Sequence, residues 1–445
     1  MTSEWPRYSV AVLQAAGHLL VEDGNHGEYR PRSDEFSSSG VSFIRAADMG
    51  DGRVLFESAA CINALARSRI RKGIGRPGDV LLSHKGTVGK VALVPDICPE
   101  YVCSPQTTFW RVLDESVIDR SFLFAYLQSQ DFKNQLASRK GETDMADYVS
   151  LTAQRQLTVP LPELRIQHAI GEALSKLGDR IALLRETNAT LETIAQALFK
   201  SWFVDFDPVH AKQQGIAPTG MDEATAALFP DRFGESAMGP VPIGWPVMPV
   251  GELVDCVGGA TPDTKDPTLW SPEVHAWTTP KDLSGLPAPI LLHTERRLSS
   301  KGLAKIGSGS LPAGTLLLSS RAPIGYLAIA EIPVAINQGY IAIPPGSQLP
   351  PLYMLFWCKQ NMETIRARAN GSTFMEISKK AFRPIPALAP QASVIDAYMK
   401  VATPVFDRLA ENERQAQTLA ALRDTLLPRL ISGQLRLPEA ESLAA

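Results

Sequence analysis

The sequence lacks the residue sets that would mark a catalytic or membrane-spanning protein. No run of eighteen apolar residues occurs in its 445 positions, so no helix is expected to cross a bilayer. The opening residues, with Glu4, Pro6 and Arg7, lack the basic-then-apolar pattern of a secretory leader. The five cysteines are odd in number and contain no CxxC pair, which implies reduced thiols and a cytoplasmic location. Cys98 and Cys103 are the closest pair, and no His or Cys cluster accompanies them, so no metal site is expected. The seven histidines form no constellation. A phosphate loop, an HExxH pair, a nucleophile elbow and the Asn/Asp-Pro-Pro-aromatic motif of amino-methyltransferases are all missing.

Two partial motifs fail on context. Gly73-Ile-Gly75-Arg-Pro-Gly78 matches GxGxxG, but a dinucleotide site needs a strand before it and a helix after it. Here a basic stretch precedes it and an apolar run follows, which suits a turn entering a strand. Asp255 with Asp263-Thr-Lys265 resembles the acidic trio of metal-dependent nucleases, yet Pro262 and Pro267 place it in a surface loop. No catalytic residue is assigned.

What the chain does have is a stretch that occurs twice. Leu177-Gly-Asp179-Arg180-Ile181 leads through Leu191 to Leu198 and Phe199, and Val405-Phe-Asp407-Arg408-Leu409 leads through Leu419 and Leu422 to Leu426. One offset of 228 residues aligns Asp179 with Asp407, Leu191 with Leu419 and Leu198 with Leu426, without a gap. In the first copy Leu177, Ile181, Leu184, Asn188, Leu191, Ala195 and Leu198 alternate at four and three residues. That is the seam of a coiled coil with one polar interruption. The second copy has Asn412, Ala416 and Arg423 in its seam and is weaker. The first helix is expected over roughly 38 residues, or ~57 Å at ~1.5 Å per residue.

The flanking regions repeat more loosely, with offsets between 232 and 236. Short apolar runs bounded by Gly and Pro, at Val41–Ile44, Asp79–Ser83, Val88–Val94 and Thr107–Val112, predict strands. Helices are expected at Val10–Leu20 and Phe122–Leu136. The segment Ala276–Leu283 echoes Phe43–Met49, Gly314–Gly325 echoes Gly78–Gly89, and Ile336–Ile341 echoes Ser104–Phe109. The expected class is α+β, with two mixed domains separated by two long helices packed as an antiparallel coiled coil. Boundaries are set at 1–165, 166–204, 205–246 (a structured linker anchored by Phe206, Leu228, Phe229, Phe233 and Trp245), 247–388, 389–432 and a tail at 433–445.

Net charge is only −3, but it is unevenly spread. Arg69, Arg71, Lys72, Arg76, Lys85 and Lys90 crowd one stretch, and Arg366, Arg368, Lys379, Lys380 and Arg383 another. Basic patches in an acidic whole fit a nucleic-acid surface. Polar residues on loops between short strands suit base edges, with Arg or Lys to guanine and Asn or Gln to adenine. Lys85 and Arg321 fall at equivalent places, as do Gln106 and Asn337-Gln338, and Arg45 lies near Lys281. For each, a solvated charge or a backbone cap is the alternative. The candidate DNA-contacting set is Arg30, Arg32, Arg45, Lys85, Lys90, Gln106, Lys281, Arg296, Arg321, Asn337, Gln338, Ser372 and Lys379.

The stretches Pro160-Leu-Pro-Glu-Leu-Arg-Ile-Gln167, Leu198-Phe-Lys-Ser-Trp-Phe-Val-Asp-Phe-Asp-Pro208, Gly239-Pro-Val-Pro-Ile-Gly-Trp245 and Leu422-Arg-Asp-Thr-Leu-Leu-Pro-Arg-Leu-Ile-Ser-Gly433 resemble the specificity subunits of type I restriction–modification systems. So do Gly259-Ala-Thr-Pro262, Trp277-Thr-Thr-Pro-Lys-Asp and Ile336-Asn-Gln-Gly. The resemblance implies a non-catalytic chain whose two target-recognition domains each read half of a split double-stranded DNA sequence. It implies two modification (methyltransferase) subunits and two restriction (motor-nuclease) subunits as partners. S-adenosylmethionine, ATP and Mg2+ would belong to those partners, with no cofactor bound by this chain. Helix packing and partner docking would involve Leu177, Ile181, Leu184, Leu191, Leu198, Phe199, Trp202, Phe203, Leu409, Leu419, Leu422 and Leu426. The alternatives are a self-sufficient restriction or modification enzyme with a cryptic active site, and a coiled-coil protein adaptor.

Overall fold

The apolar runs at Val80–Ser83 and Thr315–Ser319 become inner strands of two sheets, one in each half of the molecule. The computed structural model describes residues 5–24, 27–139, 147–371 and 375–435. It comprises two compact units, Met1–Leu183 with Ala416–Ala445, and Leu184–Gln415.

In the first unit Val80–Ser83 pairs antiparallel with Val91–Leu93 and with Thr107–Val112. Its side chains alternate. Val80 and Leu82 enter a core with Trp110, Phe122 and Tyr126, whereas Leu81 enters another with Ile44, Tyr101 and Phe109. A strand covered on both faces has no polar side, so its sequence reads as an unbroken apolar run. Leu19–Asp23 extends this sheet beyond Thr107–Val112. In a second sheet Val41–Ile44 runs parallel to Tyr101–Cys103.

The second unit repeats the plan. Thr315–Ser319 pairs antiparallel with Leu327–Ala330 and Tyr340–Ile343. Leu316 and Leu318 face one core and Leu317 another. His275–Thr278 runs parallel to Ala335–Ile336, as Val41–Ile44 does to Tyr101–Cys103. Each domain closes with a short antiparallel pair, Arg7–Ser9 with Thr158–Pro160 and Val247–Pro249 with Pro386–Leu388.

The two long helices are Leu164–Phe203 and Ala392–Ile431, of 40 residues each. Every seam position of the first helix is buried or half-buried, including Leu177, Ile181, Leu184, Leu191 and Leu198. In the second unit the Tyr398 ring centroid lies 6.0 Å from those of Phe199 and Trp202. Further along, Asn188 Nδ2 donates to the Leu409 carbonyl at 3.1 Å, and Asn412 Nδ2 donates to Asn188 Oδ1 at 3.0 Å. Numbers rise on one helix as they fall on the other, so the pairing is antiparallel. In the first unit Leu174 and Leu177 share a core with Leu422, Leu426 and Leu427. Leu419 is half-buried, and Leu409 is buried.

Several local expectations change. The helix from Val10 ends at Ala15, because Gly17 adopts φ +78° and the His18 amide returns to the Leu13 carbonyl. The chain then turns into the strand Leu19–Asp23. The expected helix Phe122–Leu136 is two, Arg120–Gln128 and Gln130–Ala137, divided where extended Ser129 caps the second. The strand expected over Val88–Val94 covers only Val91–Leu93. Segment 205–246 holds two short helices, Asp207–Gln213 and Glu223–Ala227, and the antiparallel pair Phe233–Gly234 with Val241–Pro242. Phe229 and Trp245 are buried there beside Trp202 and Phe203. Among the described residues no helix is long and apolar enough to cross a membrane.

Candidate nucleic-acid interface

In the first unit four of the candidate residues converge. Arg30, Arg45, Lys85 and Gln106, with Phe43, Ser104 and Pro105, line a concavity of about 180 Å³. Each arrives on a different turn. Arg30 follows the 3-10 turn Gly27–Tyr29, and Arg45 precedes the turn Ala46–Asp48. Lys85 follows the inner strand and pairs in a β-bridge with Tyr148, its Nζ 5.8 Å from that ring. Gln106 sits on a turn that begins at Ser104, whose Oγ accepts the Gln106 amide at 3.3 Å. The Gln106 carbonyl in turn accepts the His84 amide.

Other cations near this concavity serve the fold. The exposed Lys90 curls its Nζ onto the carbonyls of Ala46 and Met49, at 2.9 and 3.1 Å, and so braces the turn after Arg45. Arg69 forks onto Glu35, Nη1 to Oε1 at 2.5 Å and Nη2 to Oε2 at 2.6 Å. That fork, with the Arg32 amide, holds the Glu35 carboxyl down at about 2. The Arg32 side chain itself is exposed. Thus the basic run from Arg69 to Lys90 is less of a free patch than its sequence suggests.

The second unit shows the same backbone with different side chains. Arg321 pairs in a β-bridge with Glu376, as Lys85 does with Tyr148, and its Nη1 lies 3.6 Å from the Glu376 carboxylate. The Ser320 amide donates to the Gly339 carbonyl as the His84 amide does to Gln106. Asn337 Oδ1 accepts the Gly339 amide at 2.8 Å, which makes Asn337 the counterpart of Ser104. The hydrogen-bond register therefore sets Gln106 opposite Gly339, one residue from where the sequence echo set it. Gln338 Oε1 accepts from Thr261 Oγ1 at 2.6 Å. Lys281 is ion-paired with Glu295 at 2.8 Å. The Arg296 guanidinium lies 3.5 Å from the Trp270 ring centroid and 5.4 Å from that of Trp277, a cation–π stack. Lys379 is exposed beside Gly258. Ser372 lies outside the described residues.

Two glycines make these turns possible. A methyl group added at Gly24 would stand 2.2 Å from the Cys103 carbonyl oxygen, and one at Gly259 would stand 1.8 Å from that of Ile336. Sequence reasoning passed over Tyr148, Trp270 and Asp48, which hold or face the candidate cations, and it set Glu376 against the second basic cluster without pairing it to Arg321. Only Asp48 left a signal, its spacing of three from Arg45, matched by Thr279 and Asp282.

The helix residues Phe199, Trp202 and Phe203 are buried in an aromatic cluster with Tyr353 and Tyr398. Together with the seam leucines they serve packing within the chain. Asp263 and Lys265 are exposed in a turn. Among the described residues no group of three or more His, Cys, Asp or Glu is placed to hold a metal.

The type I restriction–modification DNA specificity domain matches residues 26–193 and again residues 242–393, which take in most of the first mixed domain with most of the first long helix, and then the second mixed domain. The chain belongs to that family. It is a specificity subunit with two DNA-recognition domains. It is 26% identical over 443 residues to the HindI specificity subunit of Haemophilus influenzae, covering 89% of this chain and 94% of that protein. It is 34% identical over 187 residues to the MjaIX specificity subunit of Methanocaldococcus jannaschii, 41% of this chain and 42% of that one. The crystal structure of a type I system S subunit from M. genitalium shares its fold, with a TM-score of 0.57 at 15% identity over 96% of both chains.

Proposed function

We propose that this specificity subunit reads a bipartite double-stranded DNA target, one half through each mixed domain, and positions partner subunits on it. The partners are two adenine-N6 methyltransferase subunits and two motor-nuclease subunits, which bring S-adenosylmethionine, ATP and Mg2+. The long helices set the length of unread DNA between the halves and give the partners their docking surface. The chain itself supplies register rather than chemistry, since its partner must extract the target adenine from the stack.

The observation that carries this reading is the equivalence of Lys85 and Arg321. Both follow the inner strand of their sheet, both bridge to the segment before the closing strand, and both precede a glycine turn. A cation at the same point of both domains is what a shared polyanionic ligand would favour. Arg30, Arg45, Lys85 and Gln106 would contact one half-site, and Lys281, Arg296, Arg321, Asn337, Gln338 and Lys379 the other.

The test is reconstitution with the modification subunits, followed by sequencing of modified adenines in a random DNA library. The expected pattern is two short fixed blocks at constant separation, with no methylation or cleavage by the chain alone. A continuous motif would contradict the reading, and so would activity of the isolated chain.

A further inference from the structure

Arg45 is held differently from Arg69, whose two terminal nitrogens meet Glu35 end-on, and from Lys90, which bonds two carbonyls. It stands before the 3-10 turn Ala46–Asp48 in an extended conformation. The Asp48 carboxylate, only 5% exposed, accepts the Arg45 amide at 2.8 Å and Arg45 Nε at 3.2 Å on Oδ2, and faces Nη2 at 3.5 Å with Oδ1. The carboxylate therefore grips the guanidinium from the side. A guanidinium has five N–H donors in a planar fork. A side-on grip leaves the end-on pair, one N–H from each terminal nitrogen, directed away from the carboxylate. The Arg45 side chain is 44% exposed, and it lines the concavity shared with Arg30, Lys85 and Gln106, where no carboxylate stands among the described lining residues. Lys90 braces the same turn from below through two carbonyls.

Two parallel donors on a fixed plane match the two acceptors, O6 and N7, that guanine presents in the major groove. Holding the side chain in advance reduces the ordering cost of the contact. We propose that Arg45, buttressed by Asp48, reads a guanine in the half-site of the first domain. This rests on the DNA-reading function proposed above.

The second unit supplies an internal contrast. Thr279 occupies the same point before a short helix, and Asp282 takes the place of Asp48. Asp282 Oδ2 accepts the Thr279 amide at 2.7 Å and Thr279 Oγ1 at 3.1 Å. The carboxylate is retained and the side chain it holds has changed. One position on a constant scaffold thus carries a guanidinium in one domain and a hydroxyl in the other, so the second half-site has no guanidinium reader at this point.

The experiment uses the reconstituted complex with Arg45→Ala, Arg45→Lys and Thr279→Arg, each assayed on a random DNA library and by salt titration of binding. Arg45→Ala is expected to reduce discrimination roughly 5- to 150-fold at one G·C pair of the first half-site and to leave the second half unchanged. Arg45→Lys is expected to restore part of that preference. Thr279→Arg is expected to create a guanine preference in the second half-site, where Asp282 would hold the new side chain; this arm does not depend on how Arg45→Ala folds. An unchanged first half-site in Arg45→Ala overturns the proposal. So does a uniform loss across all sequences with a salt slope smaller by about one, which marks a phosphate contact. A wild-type complex without sequence preference would instead remove the DNA-reading function itself, and this inference with it.

Discussion

Lys85 and Arg321 occupy the same place in the two units, yet their surroundings differ in charge. Lys85 faces the ring of Tyr148 and shares its concavity with two arginines, whereas Arg321 faces the carboxylate of Glu376. Arg45 and Thr279 show the same divergence on a shared capping carboxylate. The helices diverge too. Gly178, 228 residues before Phe406, borders a cleft of about 570 Å³ in the first unit, while the Phe406 ring is buried in the core of the second. Backbone hydrogen bonds have been kept where the domains fold, and side chains have been exchanged where they meet solvent or fill space. A duplicated scaffold can therefore present two different surfaces without altering its turns.

The largest effect is expected at the filled position. Phe406→Ala should cost ~3–5 kcal/mol of the second unit's stability, through lost transfer energy and the cavity left behind. Urea unfolding would check it, and a cost under ~1 kcal/mol would mean that the ring does not complete that core. Next comes Asn188→Leu, which strands the buried Asn412 amide and should cost ~1–3 kcal/mol in the same measurement. Replacing Asn188 and Asn412 together should recover most of that loss, since an apolar pair needs no partner. If the double variant is as unstable as the single one, the hydrogen bond is not the reason.

Gly178→Ala tests the open copy. An added methyl at Gly178 meets nothing within 4 Å, and a helical glycine costs roughly 0.5–1 kcal/mol relative to alanine. The variant should be more stable by about that amount in thermal unfolding, and destabilisation would show that the cleft is closed in solution. The smallest effect is expected for Glu376→Gln. Both members of its pair are well exposed, at 36% and 43%, so the pair contributes less than ~1 kcal/mol to stability. Freed Arg321 should instead make DNA binding a few-fold tighter at low salt and more salt-dependent. Unchanged binding would show that the pair does not restrain Arg321.

The repeated helices were legible because a gapless offset and a seven-residue seam leave few alternatives. The inner strands were legible because burial on both faces forces an unbroken apolar run. The local breaks were less visible. Gly17 ends the first helix by a left-handed turn, and Ser129 divides another, each a single residue inside an otherwise helical pattern. At the site the sequence found Arg45, Lys85 and Gln106, which the fold brings together, and Arg321 in the matching place. It could not distinguish Lys90, whose charge is spent on two carbonyls, from Lys85, because that difference depends on which turn lies across the sheet. The one-residue shift between Gln106 and Gly339 was likewise invisible until hydrogen bonds fixed the register.

The most direct test of the central claim, that each domain reads its own half of a split target, is a domain exchange. Residues 247–388 would be replaced by the corresponding domain of another specificity subunit, and the reconstituted methyltransferase assayed by sequencing modified adenines. The account predicts a new second half-site, with the first half-site and the separation unchanged. A recognised sequence identical to that of the parent would contradict it.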